Sequence, residues 1–200
     1  MPSQDPGTLA RRPRADAERN RNRLLEAAQA AFAAEQEPGN RPITLDQIAK
    51  EAGVGIGTLY RHFPTREALV EALYRKELGD LCASAGELLQ QHAPAAALRA
   101  WMDRFADYVA AKREIADALR AVFADRTAFV SQARAELTEA VRQILDAGAA
   151  AGELRGDVLP EDVVAMIVGT FTATSLVGGT EQLTRMLDLL MDAVRTPPKR

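Results

Sequence analysis

The 200-residue chain has one cysteine, Cys82, and two histidines, His62 and His92. A lone thiol excludes an intrachain disulfide and any multi-thiolate metal cluster, and it fits a reducing cytoplasm, the expected location. The N-terminal arginines are not followed by an apolar segment, so no secretory signal is read. Neither histidine has a cysteine or carboxylate at metal-ligand spacing. Glu136 and Glu139 share a helical face but read as solvated surface, not as an acid–base or diiron pair. No phosphate loop or dinucleotide fingerprint occurs. The expectation is therefore no catalytic residue, no metal, no cofactor and no enzyme. No apolar run is long enough to span a membrane, so no membrane partner is expected. Aromatic residues make up only 5%, and β-branched residues are too sparse for a sheet protein.

What the chain does have is alanine, 38 of 200 residues, and 47% hydrophobic residues in total. That composition favours helix and supplies a sizeable core, so the expected class is all-α. The net charge of −3 is uneven: residues 1–66 hold ten Arg/Lys against eight Asp/Glu, residues 67–200 fifteen against twenty. A basic head on an acidic body suits a polyanion at one end.

Met1 to Ala15 reads as a flexible basic tail, broken by Pro2, Pro6, Gly7 and Pro13 and ending in Arg11, Arg12 and Arg14. From about Asp16, the residues Leu24, Leu25, Ala28, Ala31 and Phe32 form one apolar stripe. Thr44 and Gln47 then make a capping-box pattern ahead of a short helix whose buried face is Leu45, Ile48 and Ala49. Gly53 falls where the chain must turn sharply, at positive φ. A second short helix is predicted from Ile56 to His62, stopped by Pro64, and Thr65 caps a longer helix reaching about Gln91. Further helices begin at Pro94 and Pro160. A shorter piece is predicted around Ile115, Leu119, Val122 and Phe123, and a long helix from Phe129 to the Gly148–Gly152 region. Gly178 and Gly179 precede a last helix, and residues 196–200 form a frayed tail.

The segment from Thr44 to His62 thus reads as a helix-turn-helix. Its helices are too short to be stable alone and need the preceding helix as a third wall. In the second helix Leu59 is an anchor, with Phe63 beyond it, while Thr58, Tyr60, Arg61 and His62 cluster as polar groups. Gly57 is poor helix material, but its bare backbone admits a close neighbour such as a duplex backbone or base edge.

These residues carry a resemblance. Thr44-Leu45-Asp46-Gln47-Ile48-Ala49, then Ala52-Gly53-Val54-Gly55-Ile56-Gly57-Thr58-Leu59-Tyr60-Arg61-His62-Phe63 and Thr65-Arg66-Glu67-Ala68-Leu69, closely resemble the TetR family of transcriptional regulators over about residues 20–75. Where the family often has Ser-Lys, this chain has Gly55-Ile56, losing a hydroxyl cap and a phosphate-seeking lysine. The C-terminal part has a general resemblance to the SbtR-like branch. The resemblance implies a dimeric, ligand-responsive, DNA-binding protein, most often a repressor. It adds a possible phosphate contact to the capping role of Thr44. The DNA-contact set is Thr44, Thr58, Tyr60, Arg61, His62 and Arg66; Tyr60 and Arg66 are assigned to phosphates and Arg61 to a base edge or the backbone. An arm built from Arg11, Arg12, Arg14 and Arg19 can reach a minor groove or serve as a solubilising tail.

The expected organisation is a tail at 1–15, a helix-turn-helix domain at 16–64, and a helical ligand-binding and dimerisation domain at 65–195. The last two helices offer Val164, Ile167, Val168, Phe171, Leu183, Leu187, Leu190 and Met191 for a homodimer's four-helix interface, with intrachain core as the bland reading. Trp101, Phe105, Tyr108, Phe123, Phe129 and Phe171 are expected to frame an apolar pocket for a small hydrophobic or aromatic effector, with Arg104, Tyr108 and Thr174 as polar handles. Two alternatives stand beside a repressor on a palindromic double-stranded operator. A helical adaptor explains the helices but not the exposed Thr-x-Tyr-Arg-His group, and an activator differs only in operator position.

Overall fold

The computed structural model describes residues 11–35, 43–114, 126–177 and 179–197, with the side chains of 11–14, 110–114, 126–129 and 175–177 outside that description. Eight helices occur among the described residues: α1 (Arg11–Glu35), α2 (Leu45–Glu51), α3 (Ile56–His62), α4 (Arg66–Gln91), α5 (Pro94–Glu114), α6 (Arg126–Ala151), α7 (Pro160–Val177) and α8 (Thr180–Val194). The predicted short piece from Ile115 to Phe123, the tail before Arg11, and Gly178 lie outside the described residues.

The chain divides into two compact units. The first holds α1, α2, α3 and the head of α4 as far as Arg75. Past the local stop at Pro64, Leu69, Val70, Leu73 and Tyr74 of α4 are buried as well. α1 also starts earlier than expected, at Arg11 rather than near Asp16. Pro13 lies in its first turn, where a missing N–H breaks no helical hydrogen bond, so this proline permits the helix it was expected to stop.

In this unit α1 packs on both α2 and α3. Leu24, Leu25, Ala28 and Phe32 are buried together with Ile48, Ala49, Leu59 and Phe63. Each large side chain so buried is worth about 1.5–3 kcal/mol, which seven-residue helices require. α2 begins with a complete capping box: the Thr44 hydroxyl accepts from the Gln47 N–H, and the Gln47 side chain accepts from the Thr44 N–H at 2.9 Å. It ends in a Schellman turn. Gly53 N–H donates to the Lys50 carbonyl and Val54 N–H to the Ala49 carbonyl, both at 3.0 Å, with Gly53 at φ +63°.

The second unit holds α4 from Lys76 together with α5 to α8. Its cores come from apolar stripes: Leu78, Leu81 and Leu88 on α4, Leu98, Trp101 and Met102 on α5, Val141, Ile144 and Leu145 on α6. α7 packs on α6 and on α8. α6 runs through Gly148, whose absent side chain makes room for Leu154: a Cβ there would stand 2.4 Å from Leu154 Cδ1. The turn falls at Gly152, φ +72°, again with paired bonds, Gly152 N–H to Ala149 O at 3.1 Å and Glu153 N–H to Gly148 O at 2.9 Å. The turn residues then pair with the segment after α8. Arg155 N–H donates to Val194 O at 2.9 Å and Thr196 N–H to Glu153 O at 3.0 Å, with an antiparallel bridge between Leu154 and Arg195. No described helix is long and apolar enough to cross a membrane.

Candidate nucleic-acid interface

α3 has two different faces. Leu59 is sealed against α1 and α2, and Phe63, just past its end, is buried with it. The other face carries Ile56, 37% exposed, and Tyr60, 50% exposed, one turn apart, with Arg61 beside them. A Cβ built on Gly57 or Gly55 would meet nothing within 4 Å, so the backbone at the head of α3 is open to a close neighbour. Arg61 bends back along the helix and donates to the Thr58 hydroxyl at 3.0 Å, which holds its guanidinium over the same surface. Thr58 and His62 are half-buried at the edges of this face, and the His62 ring lies 6.1 Å from that of Phe63. Arg21 of α1 stacks over the outside of the Phe63 ring at 5.6 Å, a cation–π contact that places a further positive charge in the unit. Thr44 is exposed at the α2 terminus, its hydroxyl engaged in the cap.

Arg66 is engaged by partners within the first unit. Its guanidinium donates to both oxygens of Glu35, at 2.7 and 2.9 Å, and to the Ile43 carbonyl, and it lies 4.8 Å over the Phe32 ring. The side chain is 32% exposed and engaged within the unit. Local spacing carries no cue to these contacts, because Glu35 is 31 positions away. Ile56, which the sequence set aside as a lost lysine, is an exposed apolar group at the head of α3. Its neighbourhood of glycines was the available signal. Arg19 pairs with Asp16 on the surface of α1; the side chains of Arg11, Arg12 and Arg14 lie outside the description.

In the second unit, Trp101, Phe105, Tyr108 and Phe171 come together. Phe105 is the centre, with ring centroids at 5.8 Å to Trp101, 5.9 Å to Tyr108 and 5.1 Å to Phe171. Phe105 thus stacks at an angle on each of the other three rings, and Trp101 Nε1 donates to the Leu81 carbonyl at 3.1 Å. Arg104 is exposed and pairs with Glu87 at 3.4 Å. The Thr174 hydroxyl is buried and donates to the Thr170 carbonyl at 2.9 Å. Phe123 and the Phe129 side chain lie outside the described residues. Cys82 is half-buried, and burial, with the Glu136 charge adding to it, pushes its thiol up to about 11.

Six of the eight residues assigned to a dimer interface are buried within the single chain: Val164, Ile167, Phe171, Leu187, Leu190 and Met191. A helical stripe does not itself say which neighbour it faces. Val168 remains 41% exposed and Leu183 half-buried. The outward side of α7 is nonetheless apolar or small, with Ala165, Met166, Val168, Gly169, Thr172 and Ala173 all exposed and no charge from Val163 to Val177.

Comparison with known proteins decides the family. Residues 24–73 match the model of bacterial regulatory proteins of the tetR family, and residues 93–196 match the C-terminal domain of SbtR-like transcriptional regulators. The chain belongs to the TetR family. Among solved structures, a TetR transcriptional regulator of Streptomyces coelicolor is 43% identical, covering 88% of this chain and 98% of its own, with a TM-score of 0.70. A TetR regulatory protein of Mycobacterium vanbaalenii is 34% identical over 91% of this chain and 98% of its own, also with a TM-score of 0.70. An HTH-type transcriptional regulator of Staphylococcus aureus (strain USA300) is 42% identical over 65 residues, 32% of this chain; the match spans about a third of that relative, 34% of its length. TetR-family proteins are DNA-binding transcriptional regulators and not enzymes, and they generally bind double-stranded DNA as homodimers that respond to small-molecule effectors. This TetR protein supplies the corresponding all-α architecture, a helix-turn-helix unit followed by a helical bundle.

Proposed function

We propose that this TetR protein is a homodimeric cytoplasmic repressor that holds a palindromic operator through α3 and releases it when a small apolar effector binds its second unit. The observation that carries the reading is the two-faced α3. Leu59 fixes the helix from behind, while Tyr60, Arg61 and the bare backbone at Gly57 stand outward where base edges and phosphates would lie. Thr58 and His62 border that face and Thr44 stands exposed at the head of α2; Arg66 ties α4 to Glu35 and Ile43.

Dimerisation draws support from α7. A helix without charge on any side after its first turn is the kind that is covered all round, yet its outward side is exposed in the single chain. A second copy related by a two-fold axis covers it and gives two reading helices for half-sites about 34 Å apart, or a multiple of that. The effector site is proposed at the Phe105 cluster, where Trp101, Phe105, Tyr108 and Phe171 bring buried aromatic surface together. α4 contributes residues to both units, and an effector that prefers one orientation of α4 shifts the population away from the DNA-competent state.

The test is selection of a duplex from a random-sequence pool, followed by gel shifts at fixed salt with the parent, Arg61→Ala and Tyr60→Phe. Each variant is expected to lose about 1–3 kcal/mol of binding with unchanged circular dichroism. Sedimentation at micromolar concentration is expected to give twice the 21.7 kDa chain mass. Unchanged affinity in both variants places recognition elsewhere, and a clean monomer removes the dimer.

A further inference from the structure

Ile43 stands one residue ahead of the Thr44 cap, and both of its backbone polar groups are gripped by side chains from other helices. Its N–H donates to Glu35 Oε1 at the end of α1, and its carbonyl accepts from Arg66 Nη1 at the start of α4. The two gripping side chains are locked to each other by the forked Arg66–Glu35 pair, and the guanidinium plane rests on Phe32 of α1. The pair is largely shielded, with side-chain exposure of 32% for Arg66 and 15% for Glu35. Three segments converge on one planar cation, and the segment so fixed leads directly into α2 and thence, through the tight Gly53 turn, into α3.

We propose that Glu35 and Arg66 are positioning residues for DNA reading: a clasp that sets the approach of α2, and through it the aim of α3, without touching DNA. The inference rests on the DNA-binding reading above. It makes a prediction opposite to simple electrostatics. Removing a negative charge from a protein that binds a polyanion ordinarily strengthens binding. If Glu35 acts by holding Arg66 and Ile43, its loss weakens binding instead. A phosphate-bound arginine, when neutralised, would lower the slope of log affinity against log salt by about one, whereas the clasp leaves that slope unchanged because the number of phosphate contacts is the same.

The experiment uses the full chain and a duplex selected by the parent from a random-sequence pool, titrated over a range of salt well below the melting temperature of each variant. Glu35→Gln and Arg66→Gln are each expected to weaken binding by about tenfold with the parent's salt slope. The double variant is expected to be no weaker than the worse single one, because both remove the same device. Arg66→Lys keeps the charge but not the fork and is expected to restore only part of the loss. The clasp is overturned if Arg66→Gln flattens the salt slope while Glu35→Gln binds as tightly as the parent or tighter, the signature of a phosphate contact. It is also overturned if both variants melt earlier but bind the duplex with parental affinity. Failure of the parent to select any duplex would remove the DNA-binding reading and the clasp with it, whereas tight parental binding matched by the variants removes the clasp alone.

Discussion

The two units are held together by different means. In the first, seven-residue helices are fixed by individual polar devices, among them the Thr44–Gln47 box, the Gly53 turn and the Arg66–Glu35 fork. In the second, helices of 15 to 26 residues, many rich in alanine, are joined mainly by apolar stripes, with isolated polar ties such as Trp101 Nε1 to Leu81 O. A short helix has few side chains to bury, so each anchor and each cap is a large fraction of its stability. A long helix distributes the same work over many residues. The difference suits the expected tasks: a reading surface needs its few groups held in fixed geometry, and a responsive body needs packing that can rearrange.

The largest expected effect probes this contrast directly. Leu59→Ala removes the one fully buried side chain of α3 and is expected to cost about 2–5 kcal/mol in urea denaturation followed by circular dichroism. Because most of the helical residues lie outside α1 to α3, much of the helical signal is expected to persist when the first unit melts. A loss below about 1 kcal/mol would show that α3 does not hang on this anchor.

The second test compares like with like, since among the described residues each unit has one glycine at positive φ in a Schellman turn, Gly53 and Gly152. Gly53→Ala and Gly152→Ala are each expected to cost about 1–2 kcal/mol from left-handed backbone strain. A Cβ at Gly53 meets only the flexible end of Arg23, at 2.4 Å, while one at Gly152 meets nothing within 4 Å, so the two losses should lie close together. A much larger loss at Gly53 would mean that the first turn is locked by more than its backbone.

Much of this was legible in the sequence, and the reason is locality. Thr44 and Gln47, Gly53, Pro94 and Pro160 act on backbone within a few residues of themselves, so type and spacing alone place them. The same holds for the α3 face, where Leu59 and Tyr60 sort by helical period. The partners of Arg66 were not legible, because they depend on a contact across 31 positions. Nor was the inward side of α7 and α8: Ile167 and Leu190 form a stripe whichever neighbour they meet. The rings around Phe105 were recognised as a set, but whether aromatic side chains enclose space or fill it depends on rotamers that spacing does not encode.

The smallest effect concerns Cys82. Burial raises its thiol from 9.0 to about 11, so the folded state favours the neutral form. The resulting stability is present below pH 9 and is lost as pH rises toward 11. Thiolate absorbance of the folded chain is expected to appear only near the upper value, and iodoacetamide to react slowly at neutral pH. Rapid alkylation at neutral pH would show that the second unit opens readily around α4, which would sharpen its contrast with the first.

The pairing of Glu153 and Arg155 with Thr196 and Val194 closes the segment that holds α7 and α8 into a ring of roughly forty residues, shut by backbone hydrogen bonds where a secreted protein can use sulfur. A chain shortened to Val194 would keep every residue of α8 yet lose the Thr196 N–H that donates to Glu153, and α8 would fray from its free end. A peptide tag fused after Pro197 leaves the ring shut. Protease protection at Arg195 therefore reports whether the ring is closed, in a segment that helix content alone would pass over.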